Sequence, residues 1–423
     1  MATITSIEGG VTAPKGFLAN GVSCGIKHFM KTGEVLISAP AAAGETTKRD
    51  VAAIFSMQPC AAAAVYTQNK VKGAPIAVTK RHLADGKARA VIVNSGNANT
   101  CNADGEQKAR QMCAMLAREL NIGVDDVIVA STGVIGQILP IEPIQAGIDM
   151  LVSGLSQSGG SYAAEAIMTT DTVRKEAAVT FEIGGVPCTI GGMCKGSGMI
   201  HPNMATLLAF ITTDADIDVT LLRQALSESV KLSYNMISVD GDTSTNDMAC
   251  ILANGAAGNP KITEKNEAYD TFCKALNEVN IRLARMMAKD GEGATKLLEC
   301  TVSGAPTEDT AKKVAKSVVC SSLFKAAMFG EDANWGRILC AIGYTDAEFE
   351  IAKTEVSLSS AAGEIKVCEN GAGVGFSEEE AKIVLAEDEI VINVNLHDGT
   401  ASATAWGCDL TYDYVKINGD YRT

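Results

Sequence analysis

The residue whose position most suggests covalent chemistry is Thr206, which directly precedes the apolar run 207–211. That run predicts a buried strand with a threonine at its entrance, and the residue before it, Ala205, is small. Cleavage of the bond between Ala205 and Thr206 would leave a hydroxyl and a free α-amine on one residue. Because an α-amine has an unperturbed pKa of about 7.7–8.0, part of it is neutral near pH 7 and accepts the hydroxyl proton. The arrangement is typical of a threonine nucleophile that carries its own base.

Two other interpretations of this segment stay open on spacing alone. Residues 191–206 are rich in glycine and predict a loop that ends at the strand. Such loops can cradle phosphates, but neither GxxxxGK[ST] nor GxGxxG occurs here. Thr206 could also be an ordinary β-branched residue at a strand start, which is the commoner case.

The elements that would position this threonine are both helices and strands. Apolar β-branched runs predict strands at 90–94 and 127–131, with a one-faced helix at 106–120 between them. Further helices are expected from a cap at Asp218 to about residue 234 and over 266–289, where Gly291 would stop the helix. Alternation predicts strands at 355–358, 364–367 and 389–396. The pattern indicates an α/β (α+β) fold, and no repeat or linker marks a domain boundary.

Composition excludes several classes of function. The formal net charge of −14 opposes binding to phosphate backbones and anionic membranes, and 5% aromatic residues leave few platforms for base stacking. We therefore expect no nucleic-acid partner and no membrane association. The N-terminus lacks the pattern of a signal peptide, and the longest apolar stretch, 52–66, is too short to span a bilayer.

Cysteine and histidine usage points to a reducing compartment and to chemistry without a metal. The thirteen cysteines are odd in number and scattered, so we expect reduced side chains and a cytoplasmic location. The four histidines form no HExxH motif and no zinc-ligand spacing with cysteine.

Eight segments along nearly the whole chain resemble, in the expected order, sequence blocks of the ornithine acetyltransferase (glutamate N-acetyltransferase) family. They are GVTAPKGF (10–17), NSGNAN (94–99), STGVIG (131–136), KGSGMI with Pro202 and MAT (195–206), DGDTSTND (240–247), DGEGAT (290–295), GEDANWGR (330–337) and NGDYRT (418–423). Any one block is modest evidence, but eight in order identify the chain as a member of this family.

The resemblance implies a fold and a maturation step. The fold would be a layered sandwich of helices and sheets like that of N-terminal-nucleophile hydrolases, with a smaller C-terminal lobe. The precursor would cleave itself before Thr206, giving an α chain of residues 1–205 and a β chain of residues 206–423 that share one core and assemble as α2β2.

The resemblance also implies a reaction and its residues. Thr206 would take the acetyl group of N2-acetyl-L-ornithine and pass it to L-glutamate in a ping-pong cycle. Thr132 and Gly133 would stabilise the oxyanion. The substrate would be held by Thr172, Lys195, Thr206, Glu292, Asn418 and Thr423. We expect Lys195 to meet the substrate carboxylate and Glu292 its ammonium, although the sequence does not fix that pairing.

Three questions remain open at the level of sequence. No cofactor is implied, but some family members also use acetyl-CoA as a donor for glutamate, and no motif here decides this. A self-processing aminopeptidase or amidase of the same architecture would use the same threonine with water as acceptor. An unprocessed scaffold protein would retain the fold without cleavage. Because Thr423 ends the chain, the resemblance also predicts an ordered, buried C-terminus.

Overall fold

The computed structural model of the chain describes residues 3–32, 48–201 and 207–420. Ala205, Thr206 and Thr423 lie outside these ranges. The described residues contain sixteen strands: β1 (Thr5–Ile7), β2 (Phe17–Val22), β3 (Val51–Tyr66), β4 (Lys87–Asn94), β5 (Val127–Ser131), β6 (Lys175–Ile183), β7 (Val186–Lys195), β8 (Leu208–Thr213), β9 (Ile237–Ser238), β10 (Met248–Ala253), β11 (Leu297–Ala305), β12 (Glu355–Ser360), β13 (Gly363–Glu369), β14 (Ala372–Gly373), β15 (Glu389–Asn395) and β16 (Ala401–Cys408).

Twelve α-helices lie in the same described ranges. They are α1 (Ile26–Thr32), α2 (Ala74–His82), α3 (Gly105–Leu120), α4 (Glu142–Ser153), α5 (Gly160–Ala166), α6 (Val219–Leu232), α7 (Glu267–Lys289), α8 (Glu308–Cys320), α9 (Ser322–Phe329), α10 (Trp335–Gly343), α11 (Glu378–Leu385) and α12 (Tyr412–Asp420). None of these helices is both long enough and apolar enough to cross a bilayer.

The first sheet holds nine of the described strands in the order β1-β6-β7-β8-β10-β3-β4-β5, with β2 also paired to β3. Its longest member, β3, is the apolar stretch of the sequence that was too short to span a membrane. β8 and β10, which follow Thr206 in the chain, lie between β7 and β3, which precede it. Strands from both sides of the expected cleavage point therefore share one ladder.

The second sheet contains seven of the described strands in the order β14-β13-β12-β15-β11-β16-β9. Most of it comes from the last third of the chain. α7 packs against β6 and β7 of the first sheet and against β11 and β16 of the second. Buried side chains of both sheets and of α6, α7 and α8 form one continuous apolar cluster. The two sheets are therefore layers around a shared helical core.

The N-terminal helices cover the part of the first sheet formed by β2 to β5, with α5 on one face and α2 and α3 on the opposite face. α5 packs on β2 and β3, while α2 and α3 pack on β5. These helices build two further apolar clusters with β3, β4 and β5. The arrangement confirms the predicted α/β (α+β) fold with helices layered on sheets.

Local signals predicted several elements closely. The Asp218 side chain accepts a hydrogen bond from the Thr220 N–H at 2.8 Å and starts α6 as expected. Asn266 caps α7 in the same way, and that helix ends two residues before Gly291. The strands expected at 90–94, 127–131 and 389–396 correspond to β4, β5 and β15.

One prediction about the glycine-rich segment is wrong. Residues 191–195 do not begin a loop, because they form the end of β7, which pairs with both β6 and β8. The reason is packing: a Cβ at Gly191 would meet the Gly10 carbonyl oxygen, and one at Gly192 would lie 3.0 Å from Leu283. The glycines let neighbouring layers approach a strand, and the loop starts only at Gly196.

Candidate active site

A cavity of about 300 Å³ lies where β7 ends and where β8 and β10 begin. Five residues predicted for the site line it, and they come from four separate parts of the chain: Thr132 with Gly133, Lys195, Glu292 and Asn418. Leu207 and Leu208 also line it, so the residue that follows Thr206 reaches this cavity. Ala205, Thr206 and Thr423 lie outside the described residues.

Thr132 and Gly133 form a turn at the end of β5. The Thr132 N–H donates to the Asn94 carbonyl at 2.9 Å, which holds the turn against the end of β4. Gly133 has a φ of +126°, and a Cβ there would lie 2.6 Å from the Gly96 carbonyl carbon, so only glycine fits. In the described part of the chain, neither the Thr132 hydroxyl nor the Gly133 N–H donates a hydrogen bond. Both donors are available to an oxygen atom in the cavity.

Asn246 joins this turn to two other segments that resemble the family. Its side-chain amide donates to the carbonyls of Ala98, at 2.5 Å, and Ser131, at 2.9 Å. Its side-chain oxygen accepts from the hydroxyls of Thr100 and Thr245, each at 2.6 Å. One buried amide thus fixes three loops around the cavity, which explains why blocks remote in sequence meet there.

Lys195 is the last residue of β7 and has 8% of its surface exposed. Within residues 3–32, 48–201 and 207–420 its ammonium forms no ion pair and no hydrogen bond. Its charge acts on two buried carboxyls, Asp171 and Asp247, without pairing to either. A buried cation without a partner is costly, so this one is suited to a carboxylate that enters the cavity.

Glu292 is held in place by the loop that follows β7. Its N–H donates to the Ser197 carbonyl at 3.1 Å, and its carboxylate accepts from the Asn418 side-chain amide at 2.8 Å. The carboxylate lies over the Cα of Gly198, where an added Cβ would meet both of its oxygens. Among the described residues no cation forms an ion pair with it, so the site offers one cation and one anion that are free of direct ion pairs.

The backbone on each side of residues 202–206 is anchored. Asp240 accepts hydrogen bonds from the N–H groups of Met199, at 2.6 Å, and Ile200, at 2.9 Å. The Thr243 hydroxyl donates to the His201 carbonyl at 2.8 Å. On the other side Leu208 pairs with Lys195 in the sheet. Asp240 and Thr243 therefore hold the backbone beside the cavity, while residues 244–247 of the same run line it.

Thr172 is the one described candidate that does not line the cavity. Its hydroxyl and N–H both donate to Asp290, and it borders a separate depression together with Gly293 and Lys416. Thr169 and Thr170, just before it, line the cavity instead. The structure thus places Thr172 behind the cavity wall, and its assignment to substrate binding stays a prediction.

Asp171, Lys175 and Asp290 form a buried charge cluster behind Lys195. The Lys175 ammonium lies 2.7 Å from Asp171 and 2.5 Å from Asp290. Burial alone would raise the pKa of Asp171, but the charges of Lys195 and Lys175 outweigh it and hold that pKa well below its usual range. Asp171 also accepts the Gly196 N–H at 2.7 Å, so the cluster fixes the point at which the loop leaves β7.

Asp247 is a cavity residue to which the sequence assigned no chemistry. Only 2% of its surface is exposed, and one carboxyl oxygen has no hydrogen-bond partner among the described residues. Burial raises the pKa of this carboxyl well above its usual range, although Ser244, Lys195, Thr67 and the Leu207 N–H oppose the shift. A signal was present in the sequence: an apolar strand, 248–253, starts directly after a polar side chain, just as 207–211 follows Thr206.

In the described part of the chain, no group of three or more His, Cys, Asp or Glu side chains is placed to hold a metal ion. All thirteen cysteines lie within the described ranges and are free thiols. The described residues that line the cavity offer hydroxyls, backbone N–H groups, one lysine and two carboxyls.

Comparisons with known proteins agree with the resemblance seen in the sequence. A model of the ArgJ family matches residues 37–423. The arginine biosynthesis bifunctional protein ArgJ of Symbiobacterium thermophilum is 51% identical over 418 residues, which covers 99% of each chain. ArgJ 1 of Clostridium acetobutylicum is 53% identical over 377 residues, or 89% of this chain and 92% of its own.

Among solved structures, the arginine biosynthesis bifunctional protein ArgJ of Bacillus halodurans matches with 47% identity and a TM-score of 0.48. The match covers 50% of this chain and 98% of the solved one. With a family match over most of the sequence and relatives about half identical along its length, this chain belongs to the ArgJ family.

Proposed function

We propose that this chain cleaves itself between Ala205 and Thr206 and then transfers the acetyl group of N2-acetyl-L-ornithine to L-glutamate. The reaction is an acyl transfer in arginine biosynthesis, the process named for its relatives. The identity of Thr206 as the nucleophile comes from the family resemblance.

The observation that carries this proposal is that one cavity contains both a cationic and an anionic side chain. Lys195 and Glu292 both line it, and neither has an ion-pair partner among the described residues. N-acetylornithine carries a carboxylate and a distal ammonium, so it supplies one partner for each. Binding would compensate a cation that is 8% exposed, which makes a carboxylate the natural ligand of Lys195.

The first half-reaction forms an acetyl-enzyme. The Thr206 hydroxyl oxygen attacks the acetyl carbonyl of acetylornithine while the α-amine of the same residue takes the hydroxyl proton. Negative charge develops on the carbonyl oxygen, where the Thr132 hydroxyl and the Gly133 N–H donate to it. The intermediate collapses by breaking the bond to the ornithine nitrogen, which receives the proton and leaves as ornithine.

The second half-reaction reverses these steps with another amine. The neutral α-amine of glutamate attacks the acetyl ester, its proton passes to the Thr206 amine, and the same two donors hold the oxyanion. Collapse returns the hydroxyl to Thr206 and releases N-acetylglutamate. No step requires a cofactor. The name "bifunctional" of the relatives supports acetyl-CoA as a second acetyl donor.

Several further features belong to the same proposal. Thr172 and Thr423 would complete the substrate site, and the mature protein would be a cytoplasmic α2β2 assembly. Helix α12, which carries Asn418, has no buried residue, and it exposes 84% of Tyr412 and 69% of Val415. Apolar side chains that extend from an uncovered helix support a subunit contact here, next to the cavity.

Denaturing intact mass with a two-substrate assay tests the proposal. Wild-type protein should give two chains that break before Thr206 and should transfer acetyl from acetylornithine to glutamate with parallel, ping-pong reciprocal plots. Thr206→Ala should remain one inactive chain. A single uncut wild-type chain that still transfers acetyl would contradict the free-amine mechanism. Cleaved protein that releases acetate or amino acids but acetylates no glutamate would favour the aminopeptidase or amidase.

A further inference from the structure

A single side-chain amide connects the turn of Thr132 and Gly133 to a distant strand of the same sheet. Asn246 lies two residues before β10, and Ser131 is the last residue of β5. In the sheet, β3 and β4 lie between these two strands. Because neighbouring strands are about 4.8 Å apart, β10 and β5 are separated by about 14 Å. The Asn246 amide nevertheless donates to the Ser131 carbonyl at 2.9 Å, so it joins the segment before β10 directly to the end of β5.

The partners of the Asn246 side chain fix its orientation and use its full hydrogen-bonding capacity. Its nitrogen faces the carbonyl oxygens of Ala98 and Ser131, and its oxygen faces the hydroxyls of Thr100 and Thr245. Because carbonyls cannot donate, only the amide nitrogen can satisfy the first pair. An asparagine side chain has two donor hydrogens and two acceptor lone pairs, and all four are engaged here. Asn246, which is 7% exposed, therefore acts on the protein around it.

The peptide unit between Ser131 and Thr132 is held from both sides. Its carbonyl accepts from the Asn246 amide, and its N–H donates to the Asn94 carbonyl at 2.9 Å. Since a peptide unit is planar, these two contacts fix the orientation of the whole unit. The Thr132 side chain starts from the next atom of the backbone, and only the φ and ψ rotations of Thr132 separate this plane from the Gly133 N–H. The positions of both donors therefore depend on the Asn246 amide.

We propose that Asn246 is a positioning residue that sets the two oxyanion donors, Thr132 and Gly133, for acetyl transfer. This inference rests on the proposed function, in which those two residues stabilise the oxyanion. Oxyanion donors are effective because they are aimed in advance at the place where charge develops. Asn246 acts through the turn and does not touch the reacting atoms.

Gly73 offers a way to move this amide without changing any of its hydrogen-bonding partners. A Cβ at Gly73 would lie 2.6 Å from the Asn246 amide nitrogen and 2.7 Å from its oxygen. The φ of −61° and ψ of 142° at Gly73 are also accessible to alanine, so the backbone would tolerate the change. Gly73 is not among the described residues that line the cavity. An added methyl group would therefore displace the amide from outside the cavity.

The test compares the kinetics of Asn246→Ala and Gly73→Ala with those of the wild type. A displacement of about 1 Å at a reacting group can lower a rate about a hundredfold, so we expect that fall in kcat for Asn246→Ala and roughly a tenfold fall for Gly73→Ala. The same donors serve both half-reactions, which should slow together and leave KM for acetylornithine nearly unchanged. In a Thr132→Val background, each change should lower kcat by a smaller factor.

Two matched control variants separate positioning from stability. Asn254 is also 7% exposed and follows the other end of β10, where its amide donates to the Lys15 carbonyl at 2.9 Å. Gly154 also packs on an asparagine amide, since a Cβ there would lie 2.3 Å from the Asn20 side-chain nitrogen. Neither control position borders the cavity within the described part of the chain. Asn254→Ala and Gly154→Ala should destabilise the protein as their counterparts do, but should keep the wild-type kcat.

The proposal is overturned if Asn246→Ala has the same kcat as Asn254→Ala, if it changes KM alone, or if its effect is fully additive with that of Thr132→Val. Where Asn246→Ala does not fold or is not cleaved, the comparison of Gly73→Ala with Gly154→Ala decides by the same criteria. If wild-type protein transfers no acetyl group, or Thr132→Val keeps the wild-type kcat, the proposed function itself fails. If both behave as expected, the results bear on Asn246 alone.

Discussion

The Glu292 carboxylate lies directly over the Cα of Gly198, and the Asn418 side-chain amide holds it there at 2.8 Å. Gly198 does not have a positive φ, so a side chain at this position would be resisted by the carboxylate and not by the backbone. The absence of a side chain at Gly198 therefore allows the Glu292 carboxylate to occupy its position in the cavity.

Gly198→Ala should push the Glu292 carboxylate out of place and weaken the contact with the substrate ammonium. A hydrogen bond to a charged group contributes about 1.5–3 kcal/mol, so we expect KM for acetylornithine to rise roughly tenfold or more. Steady-state kinetics should show the same defect in Glu292→Gln and little further loss in the double variant. Gly343→Ala, where an added Cβ meets nothing, is the control. If the effects of Gly198→Ala and Glu292→Gln on KM were additive in the double variant, Gly198 would not act through the position of Glu292.

Lys195→Met should remove the cation that receives the substrate carboxylate while filling most of the same space. Loss of one partner of a buried charge pair costs about 2 kcal/mol or more, which is a rise of roughly thirtyfold in KM. Because both substrates carry a carboxylate, KM should rise for acetylornithine and for glutamate. Lys313→Met, on the exposed face of α8, should leave both unchanged. A KM for either substrate that equals the wild-type value would exclude Lys195 as its carboxylate contact.

Thr132→Val should remove one oxyanion donor and keep the shape of the side chain. Loss of a single donor of this kind lowers kcat roughly 10²–10³-fold, with little change in KM because the ground-state carbonyl needs it less. Thr132→Ser restores a hydroxyl and should recover most of kcat. Failure of serine to rescue, with protein as stable as the wild type, would assign the effect to packing of the β5 turn.

Asp171→Asn should lower the free energy of unfolding, because it breaks the buried ion pair with Lys175. Breaking such a pair typically costs about 3–5 kcal/mol. The folded pKa of Asp171 is depressed, so its contribution is present above the unfolded value of about 3.9 and is lost as pH falls through the folded pKa. The difference in denaturation midpoint between wild type and variant should therefore be largest near pH 7 and should decrease below about pH 4. Both proteins should carry Thr206→Ala, so that each remains one chain. A gap that widens on acidification would contradict this sign.

Local information in the sequence predicted the elements whose causes are local. Asp218 and Asn266 cap helices with their own side chains, and apolar spacing shows which faces of α6 and α7 are buried. The strand character of residues 191–195 could not be predicted, because it depends on the close approach of residues 10–14 and of α7 to Gly191 and Gly192.

Less of the site than of the fold could be predicted from the residues themselves. Lys195 and Glu292 are single charges whose shared cavity depends on β7 and on the turn after α7, and only the family resemblance predicted their roles. Asp247 was missed because the local pattern shows only that a polar residue precedes a strand at 248–253, whereas its position in the cavity depends on the parallel pairing of β8 with β10. Thr172 was predicted to touch substrate, but its hydroxyl is engaged by Asp290.

The most direct test is the mass of the chain that begins at Thr206 after brief reaction with acetylornithine and an acid quench. In wild-type protein without glutamate, that chain should carry one acetyl group, located at Thr206 by fragmentation, and added glutamate should remove it as N-acetylglutamate appears. A chain that never carries acetyl, or carries it on another residue at a rate that matches turnover, would show that Thr206 is not the nucleophile.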